Sequence, residues 1–290
     1  MRIHLIGIGG IGVSALARYF LSQGWKVSGS DSSPSPLLRE LKAEGAKIKI
    51  GHRKKNLSPK TDLVVFTQAI PLDNPELKEA KRLKLKTLTY PQALGWLTKT
   101  FTTIAVAGTH GKSTATALTA LALIGAKKDP TVIVGTKVPQ LRGKNFRSGK
   151  SEYLVLEADE YKDAFLNYSP HAALITNIDR EHLDYFKNLS QTKKSFRKFT
   201  TNLTRFNLVR LSREGVLVLN KDDAPLLSLG RQLKRKIIWY SLKEKKLAQK
   251  IKKRLKIPGE HNLSNALGVY KLARALGIKE KDILKAFWKI

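Results

Sequence analysis

Two glycine-rich turns, each fed by a short apolar run and followed by a helix-forming stretch, constrain this chain more than any other feature. The first is Gly7-Ile8-Gly9-Gly10-Ile11-Gly12, after the run Ile3 to Ile6 and before the helical stretch Val13 to Gln23. The second is Gly108-Thr109-His110-Gly111-Lys112-Ser113-Thr114, after the β-rich run Thr103 to Ala107 and before Ala115 to Leu123. A strand handing directly to a helix through such a turn opens a βαβ unit, and the helix start offers free N–H groups to an anion. Two such openings predict an α/β chain of two units, each built on a mainly parallel sheet.

The rest of the sequence fits that division. Trp25 to Gly29 reads as a strand closed by Asp31. Leu37, Leu38 and Leu41 recur at helical spacing within Pro36 to Glu44, and Leu63 to Phe66 is another buried strand. These fall in a first unit, residues 1–99. Apolar runs at Val132–Val134, Tyr153–Leu156, Ala172–Thr176, Val216–Leu219 and Ile237–Tyr240 alternate with helical patterns such as Gln191–Leu203 in a second, residues 100–290. A lysine-rich helix is expected between Tyr240 and Gly259, and terminal helices over Asn262–Leu276 and Lys281–Lys289. A length of 290 residues suits two domains.

Composition narrows the function classes. No apolar run approaches the roughly 18 residues that would span a bilayer. The amino terminus enters the first glycine turn without the apolar stretch of a signal peptide, so the cytoplasm is the expected compartment. The absence of cysteine excludes disulfides and thiolate metal sites. A net charge of +31 raises the question of polyanions, most sharply at Arg231 to Lys256, which carries Trp239 and Tyr240. Lysine is spread along the whole chain, however, and the motifs point to nucleotides. Specific nucleic-acid binding is therefore not expected.

The glycines of the first turn allow a diphosphate to approach backbone N–H groups at a helix start. Asp31, nineteen residues after Gly12, is placed to accept hydrogen bonds from a ribose. NAD is the usual ligand of such a turn, and a purely structural packing turn is the alternative. The second turn adds a cation, Lys112, and a hydroxyl, Ser113, suited to a triphosphate with Mg²⁺. It departs from the common phosphate-loop pattern in having Val106 where the first glycine belongs. Glu157-Ala158-Asp159-Glu160 and Asp179-Arg180-Glu181-His182 each follow a strand of the second unit. Ligands gather at the carboxyl ends of parallel strands, so these acids and the imidazole are candidate metal ligands. Gly259-Glu260-His261-Asn262 reads as a turn plus a helix N-cap.

At this point the chain resembles the Mur ligase family. The matching segments are GIGGIG (7–12), SGSD (28–31), DNPE (73–76), AGTHGKSTAT (107–116), EADEYKDAFL (157–166), TNIDREHLDYF (176–186), LNKDD (219–223) and GEHNLSNA (259–266). The resemblance implies a Rossmann-like UDP-sugar-binding domain followed by a phosphate-loop central domain. It also implies ATP-dependent joining of L-alanine to UDP-N-acetylmuramate through an acyl phosphate, in peptidoglycan synthesis. Gly7, Gly9, Gly10 and Gly12, with Asp31, are then expected to hold the UDP moiety. Gly108, Thr109, His110, Gly111, Lys112, Ser113 and Thr114 would hold the ATP phosphates, and His261 with Asn262 the adenine. Ser113 and Glu157 are expected on one Mg²⁺ and His182 on a second, making Lys112, Glu157 and His182 the catalytic set.

Some features depart from the family pattern. The family carries a third domain, and the sequence reaches Phe287-Trp288-Lys289-Ile290 about where that domain should begin. Thr67-Gln68-Ala69-Ile70 stands where Ser-Ser-Ala-Ile is common, and Tyr90-Pro91-Gln92 replaces the usual Arg-Ala-Glu. Three alternatives stay open at the level of sequence. They are a murein-tripeptide ligase of cell-wall recycling, a non-catalytic nucleotide-binding fragment that needs a separate third domain, and an NAD-dependent oxidoreductase.

Overall fold

The computed structural model describes residues 1–204 and 215–289. Its first sheet contains β1 (Arg2–Ile6), β2 (Lys26–Asp31), β3 (Lys47–Ile50), β4 (Leu63–Phe66) and β5 (Thr87–Thr89), in the order β3-β2-β1-β4-β5 with every pair parallel. The chain adds strands to one side of β1 and then crosses to the other. The resulting crevice lies at the carboxyl ends of β1 and β4, where a parallel sheet binds ligands. Gly7 follows β1 there, and Thr67 follows β4.

The second sheet contains β6 (Thr102–Ala107), β7 (Thr131–Val138), β8 (Lys144–Arg147), β9 (Tyr153–Glu157), β10 (Ala172–Ile175), β11 (Val216–Asn220) and β12 (Ile238–Tyr240). Their order is β12-β11-β10-β6-β9-β7-β8, parallel except for the antiparallel edge pair β7–β8. Here the crossover falls at β6, between β9 and β10. The turn after β6 is therefore flanked by Glu157 on one side and residues 176–182 on the other.

Both faces of this sheet are covered, which explains why its strands read as continuous apolar runs. Ala105, Leu156, Ile175 and Leu219 face one core, while Val106, Val155, Leu174 and Val218 face the other. The second core is closed by the helices Lys112–Gly125, Glu260–Ala275 and Glu280–Phe287. The first core runs on into the first sheet through Ile3, Leu5, Tyr19 and Phe20, so one apolar body joins both halves of the chain.

A polar seam reinforces that junction. Arg18, on the helix Ile11–Ser22, is only 3% exposed. It donates to Glu40 at 2.8 Å, Glu44 at 2.9 Å and the Asn145 side-chain oxygen at 2.5 Å. Asn145, on β8, donates in turn to the carbonyl of Ile11 at 2.5 Å and to Ser14 Oγ at 3.0 Å. The amino end of the first helix is thereby tied to the second sheet.

The expected elements are present, with ends displaced by a few residues; the helix after the second turn, for instance, begins at Lys112. The lysine-rich helix is Lys245–Lys252. Strands β3, β5 and β8 and the helices Pro75–Arg82, Tyr90–Thr98 and Ala224–Gly230 add to the expected set. No helix among the described residues is long and apolar enough to cross a membrane.

Candidate active site

The second glycine turn wraps the start of the helix Lys112–Gly125. Gly108 and Gly111 have φ of +134° and +79°, where a side chain is strained. Gly108 also has no room for one, since a Cβ there would lie 2.0 Å from Thr176 Oγ1. The segment after β10 holds the turn in shape. Asn177 accepts from the N–H of Thr109 through its carbonyl (3.1 Å) and from the N–H of His110 through its side chain (2.8 Å). Thr176 Oγ1 donates to the carbonyl of His110 at 2.7 Å, and Thr109 Oγ1 accepts from the N–H of Asp179 at 2.9 Å. His110 and Asp179 form an exposed pair at 3.4 Å.

Lys112, the cation of the turn, does not stand free. Its Nζ donates to Glu160 at 2.9 Å and to the carbonyl of Thr109 at 3.1 Å. Burial pushes the Glu160 carboxyl above its ordinary range, and the Lys112 charge opposes that shift. Ser113 Oγ donates to Glu157 at 3.0 Å, and the other Glu157 oxygen accepts from the N–H of Gly135 at 2.8 Å. Burial also raises Glu157, against these two hydrogen bonds and Lys112. One buried acid, Glu160, and one half-buried acid, Glu157, each held by a donor from the turn, suit a site that receives cations and phosphate together.

His182, expected at a second metal position apart from Ser113 and Glu157, stands beside a different acid of the 157–160 segment. Its Nε2 lies 3.9 Å from Glu160, and one ligand atom each from Asp159, Glu160 and His182 lie within 4.8 Å of one another. Two carboxylates and one imidazole form a donor set that fits a divalent cation, and the Ser113–Glu157 pair offers a second, all-oxygen position. His182 has a left-handed φ of +55°, and its ring packs 4.6 Å from that of Tyr161. Lys162 and Asp163 are left-handed as well. The hydroxyl of Tyr161 donates to Asp184 at 2.6 Å and that of Tyr185 to Asp163 at 2.8 Å, bracing these two strained segments against each other.

Lys112, Glu157 and His182 line one cavity of about 540 Å³, whose opposite wall comes from the first half of the chain: Gly12, Thr67 and Tyr90. Gly7, Gly9, Gly10 and Asp31 line a neighbouring hollow of about 740 Å³, and Thr67 and Ala69 belong to both. Asp31 holds the first turn directly, accepting from the N–H of Gly9 and of Ser32, each at 2.8 Å. Beneath that hollow Glu76, fully buried, gathers His4, Ser30, Arg53 N–H and Asn56.

His261 and Asn262 lie outside the walls of both cavities. The helix they open starts at Glu260 with Gly259 in the N-cap position and no side-chain cap; Asn262 donates instead to the carbonyl of Pro258 at 2.6 Å. The residue of that helix in contact with the phosphate turn is Asn265, about one turn further on. A Cβ on Gly111 would lie 2.6 Å from its Nδ2. Glu160 as the partner of Lys112, Asn177, Thr67, Tyr90 and Asn265 are among the site residues that the motifs left unassigned.

Comparison with known proteins bears on the family and the fold. Residues 2–102 match the model of the Mur ligase family catalytic domain, and residues 106–273 that of the Mur ligase middle domain. The UDP-N-acetylmuramate–L-alanine ligase of Caldicellulosiruptor saccharolyticus is 40% identical over an alignment covering 99% of this chain and 66% of that protein. The enzyme of the same name from Clostridium perfringens is 38% identical, covering 98% and 65%. This chain thus spans about two thirds of the length of these relatives. The solved UDP-N-acetylmuramate–alanine ligase of Thermotoga maritima superposes with a TM-score of 0.80 at 28% identity, over 100% of this chain and 68% of that one. A Neisseria UDP-N-acetylmuramate:L-alanyl-γ-D-glutamyl-meso-diaminopimelate ligase gives 0.84 at 23% identity, over 99% and 97%, which speaks to the fold alone. With both glycine turns, the acids of the 157–160 segment and the two-sheet architecture falling inside the matched segments, the chain belongs to the Mur ligase family.

Proposed function

We propose that this chain binds ATP in the crevice after β6 and UDP-N-acetylmuramate in the crevice after β1, for ATP-dependent joining of the sugar's lactyl carboxylate to L-alanine. The observation that carries this reading is the shared wall. The two crevices open at the carboxyl ends of two separate parallel sheets, yet they meet at Thr67 and Ala69. A nucleotide sugar in one can present its acid to a triphosphate in the other. The sequence similarity of 36–40% to L-alanine ligases supports this acceptor over a tripeptide.

The chemistry follows from the groups present. A carboxylate at neutral pH is a poor electrophile, so its oxygen first attacks the γ-phosphorus of ATP. The bond to ADP breaks and an acyl phosphate forms. The amine of L-alanine then attacks the activated carbonyl, inorganic phosphate leaves, and the amine proton passes to solvent. The N–H groups of residues 108–114 cradle the triphosphate, and Lys112 neutralises charge as it moves between oxygens. Ser113 and Glu157 would hold one Mg²⁺, and His182 with Asp159 and Glu160 a second. Bound there, Mg²⁺ supplies electrostatic stabilisation of the crowded phosphate oxygens. Gly7, Gly9, Gly10 and Gly12 line the diphosphate position, with Asp31 beside the ribose. The adenine is assigned to the start of the helix Glu260–Ala275, near His261 and Asn262, with Asn265 supporting the phosphate turn. Holding acid and phosphate in line lowers the barrier by proximity.

Because the chain spans about two thirds of its relatives, ligand binding is the primary test. Calorimetry should show saturable binding of ATP–Mg²⁺ and of UDP-N-acetylmuramate, each tighter in the presence of the other. Phosphate release should rise with L-alanine and not with the murein tripeptide. Binding of neither nucleotide overturns the reading, and a preference for tripeptide reassigns the acceptor.

A further inference from the structure

Tyr90 is a residue of the cavity to which neither motif assigns a role. It is the first residue of the helix Tyr90–Thr98, whose start is fixed by a capping box: Thr89 Oγ1 accepts from the Gln92 N–H, and the Gln92 side chain accepts from the Thr89 N–H. Pro91 follows it in the first turn, so the backbone carrying this tyrosine is pinned. The ring lies against Gly12, the last glycine of the first turn. A Cβ on Gly12 would sit 2.6 Å from both Cζ and Oη of Tyr90, so the missing side chain at Gly12 is what admits the ring. The charges of Glu157 and Asp159, which line the same cavity, act on it as well. Tyr90 therefore lines one cavity together with the last glycine of the first turn and two acids of the 157–160 segment.

The Tyr90 hydroxyl makes no hydrogen bond to any described residue, although the ring is half-buried and lines the cavity. A phenol placed in a wall usually finds a partner, so one that lacks it inside a ligand cavity is available to the ligand. Burial, followed by the charges of Glu157 and Asp159, pushes its pKa upward. The group stays neutral at physiological pH and can donate, which lets it tolerate the two nearby carboxylates while facing a third.

We infer that the Tyr90 hydroxyl donates a hydrogen bond to the sugar-borne carboxylate of the nucleotide substrate, making Tyr90 a specificity-determining residue for the acid sugar. The inference rests on the two-crevice reading above. Gly12, Tyr90 and Lys112 line one cavity, so a group carried from a diphosphate at the first turn toward phosphates at Lys112 enters the space that Tyr90 lines, and in the proposed substrate that group is the lactyl carboxylate.

The test compares UDP-N-acetylmuramate with UDP-N-acetylglucosamine, which lacks the lactyl acid, by calorimetry on the full chain and on Tyr90→Phe. Loss of a hydrogen bond to a charged group should weaken binding of the acid sugar about ten- to a hundredfold. The neutral sugar should bind both proteins alike, and the melting temperatures should agree. Unchanged binding of the acid sugar by Y90F, or equal losses for both sugars, overturns the assignment of Tyr90 and leaves the two-crevice reading standing. A wild-type chain that does not prefer the acid sugar also overturns it, independently of any variant. Failure of the wild-type chain to bind either sugar overturns the two-crevice reading and the role of Tyr90 with it.

Discussion

The Lys112 ammonium is held 2.9 Å from Glu160, a carboxylate whose side chain is 2% exposed. This pair joins the phosphate turn to the acid segment after β9, and it puts a buried negative charge directly beneath the cation expected to meet a triphosphate. Removing one partner of a buried pair leaves the other uncompensated, which costs about 3 kcal/mol at the low end of the usual range. The low end applies because burial already favours protonation of Glu160. Lys112→Ala should lower unfolding free energy in urea by that amount. Lys112→Ala with Glu160→Gln should recover most of it, because no orphaned charge remains. ATP binding should be lost in both. Equal stability of the single and double variants would show that the pair carries no coupling.

Gly111 meets two separate constraints, and they can be taken apart. Its φ of +79° penalises any side chain, by about 1–2 kcal/mol. Its packing against Asn265 leaves only 2.6 Å for a Cβ. Gly111→Ala should therefore weaken ATP–Mg²⁺ binding by more than tenfold in equilibrium titration. Adding Asn265→Ala relieves the contact but not the backbone strain, so the double variant should regain only part of the loss. Full recovery would mean that the backbone conformation is not a constraint; no recovery would mean that Asn265 does not crowd the turn.

What could be read from the sequence was mostly local. A strand, a glycine turn and a helix are contiguous, so residues 7–12 and 108–114 announce themselves, and the apolar runs of the second sheet are continuous because both faces are buried. The elements left unread are edge or short ones. β3 reads Lys-Ile-Lys-Ile with most of its residues exposed, and β8 is a four-residue antiparallel edge. Neither carries enough apolar signal to stand out from a lysine-rich surface. Within the site, residue types were legible but partners were not. Glu160 and Lys112 are 48 positions apart, and Asn177 and His110 are 67 apart. Which of the acids at 157–160 faces the cation depends on the register between β6 and β9, a tertiary fact. Asn265 shows the same limit, because one helical turn separates it from the His261–Asn262 pair that the motif favours.

The seam around Arg18 makes a prediction about coupling between the two halves of the chain. Arg18→Ala removes the donor shared by Glu40, Glu44 and Asn145, of which Asn145 is fully buried. Lys137 and Lys144 also pair with the two glutamates and soften the loss. The net cost should be about 2 kcal/mol, below the usual range for breaking a buried pair. The first helix should also detach from β8 more readily. Thermal unfolding should broaden or split into two steps, and the mutual enhancement of nucleotide and nucleotide-sugar binding should shrink. A single sharp transition with unchanged enhancement would place the coupling elsewhere.

Glu76 gives a pH dependence whose sign is fixed by its surroundings. Burial alone pushes its carboxyl upward, but hydrogen bonds from His4 (3.0 Å), Ser30 (2.6 Å) and Asn56 (2.6 Å) together hold it below its ordinary value of 4.5. His52 stands 3.9 Å away as a further basic neighbour. A carboxyl whose folded-state pKa is depressed binds its proton more weakly in the native chain than in the unfolded one. Its contribution is therefore fully present above pH 4.5 and is lost as pH falls through the folded-state value. Glu76→Gln should destabilise the chain at pH 7, because the amide cannot accept from all of these donors. The gap between the two proteins should narrow steadily below pH 4.5, and taking their difference separates Glu76 from every other acid. Urea unfolding at intervals from pH 7 to pH 3 measures that difference. A gap that stays constant, or widens in acid, would mean that the network does not depend on the charge of Glu76.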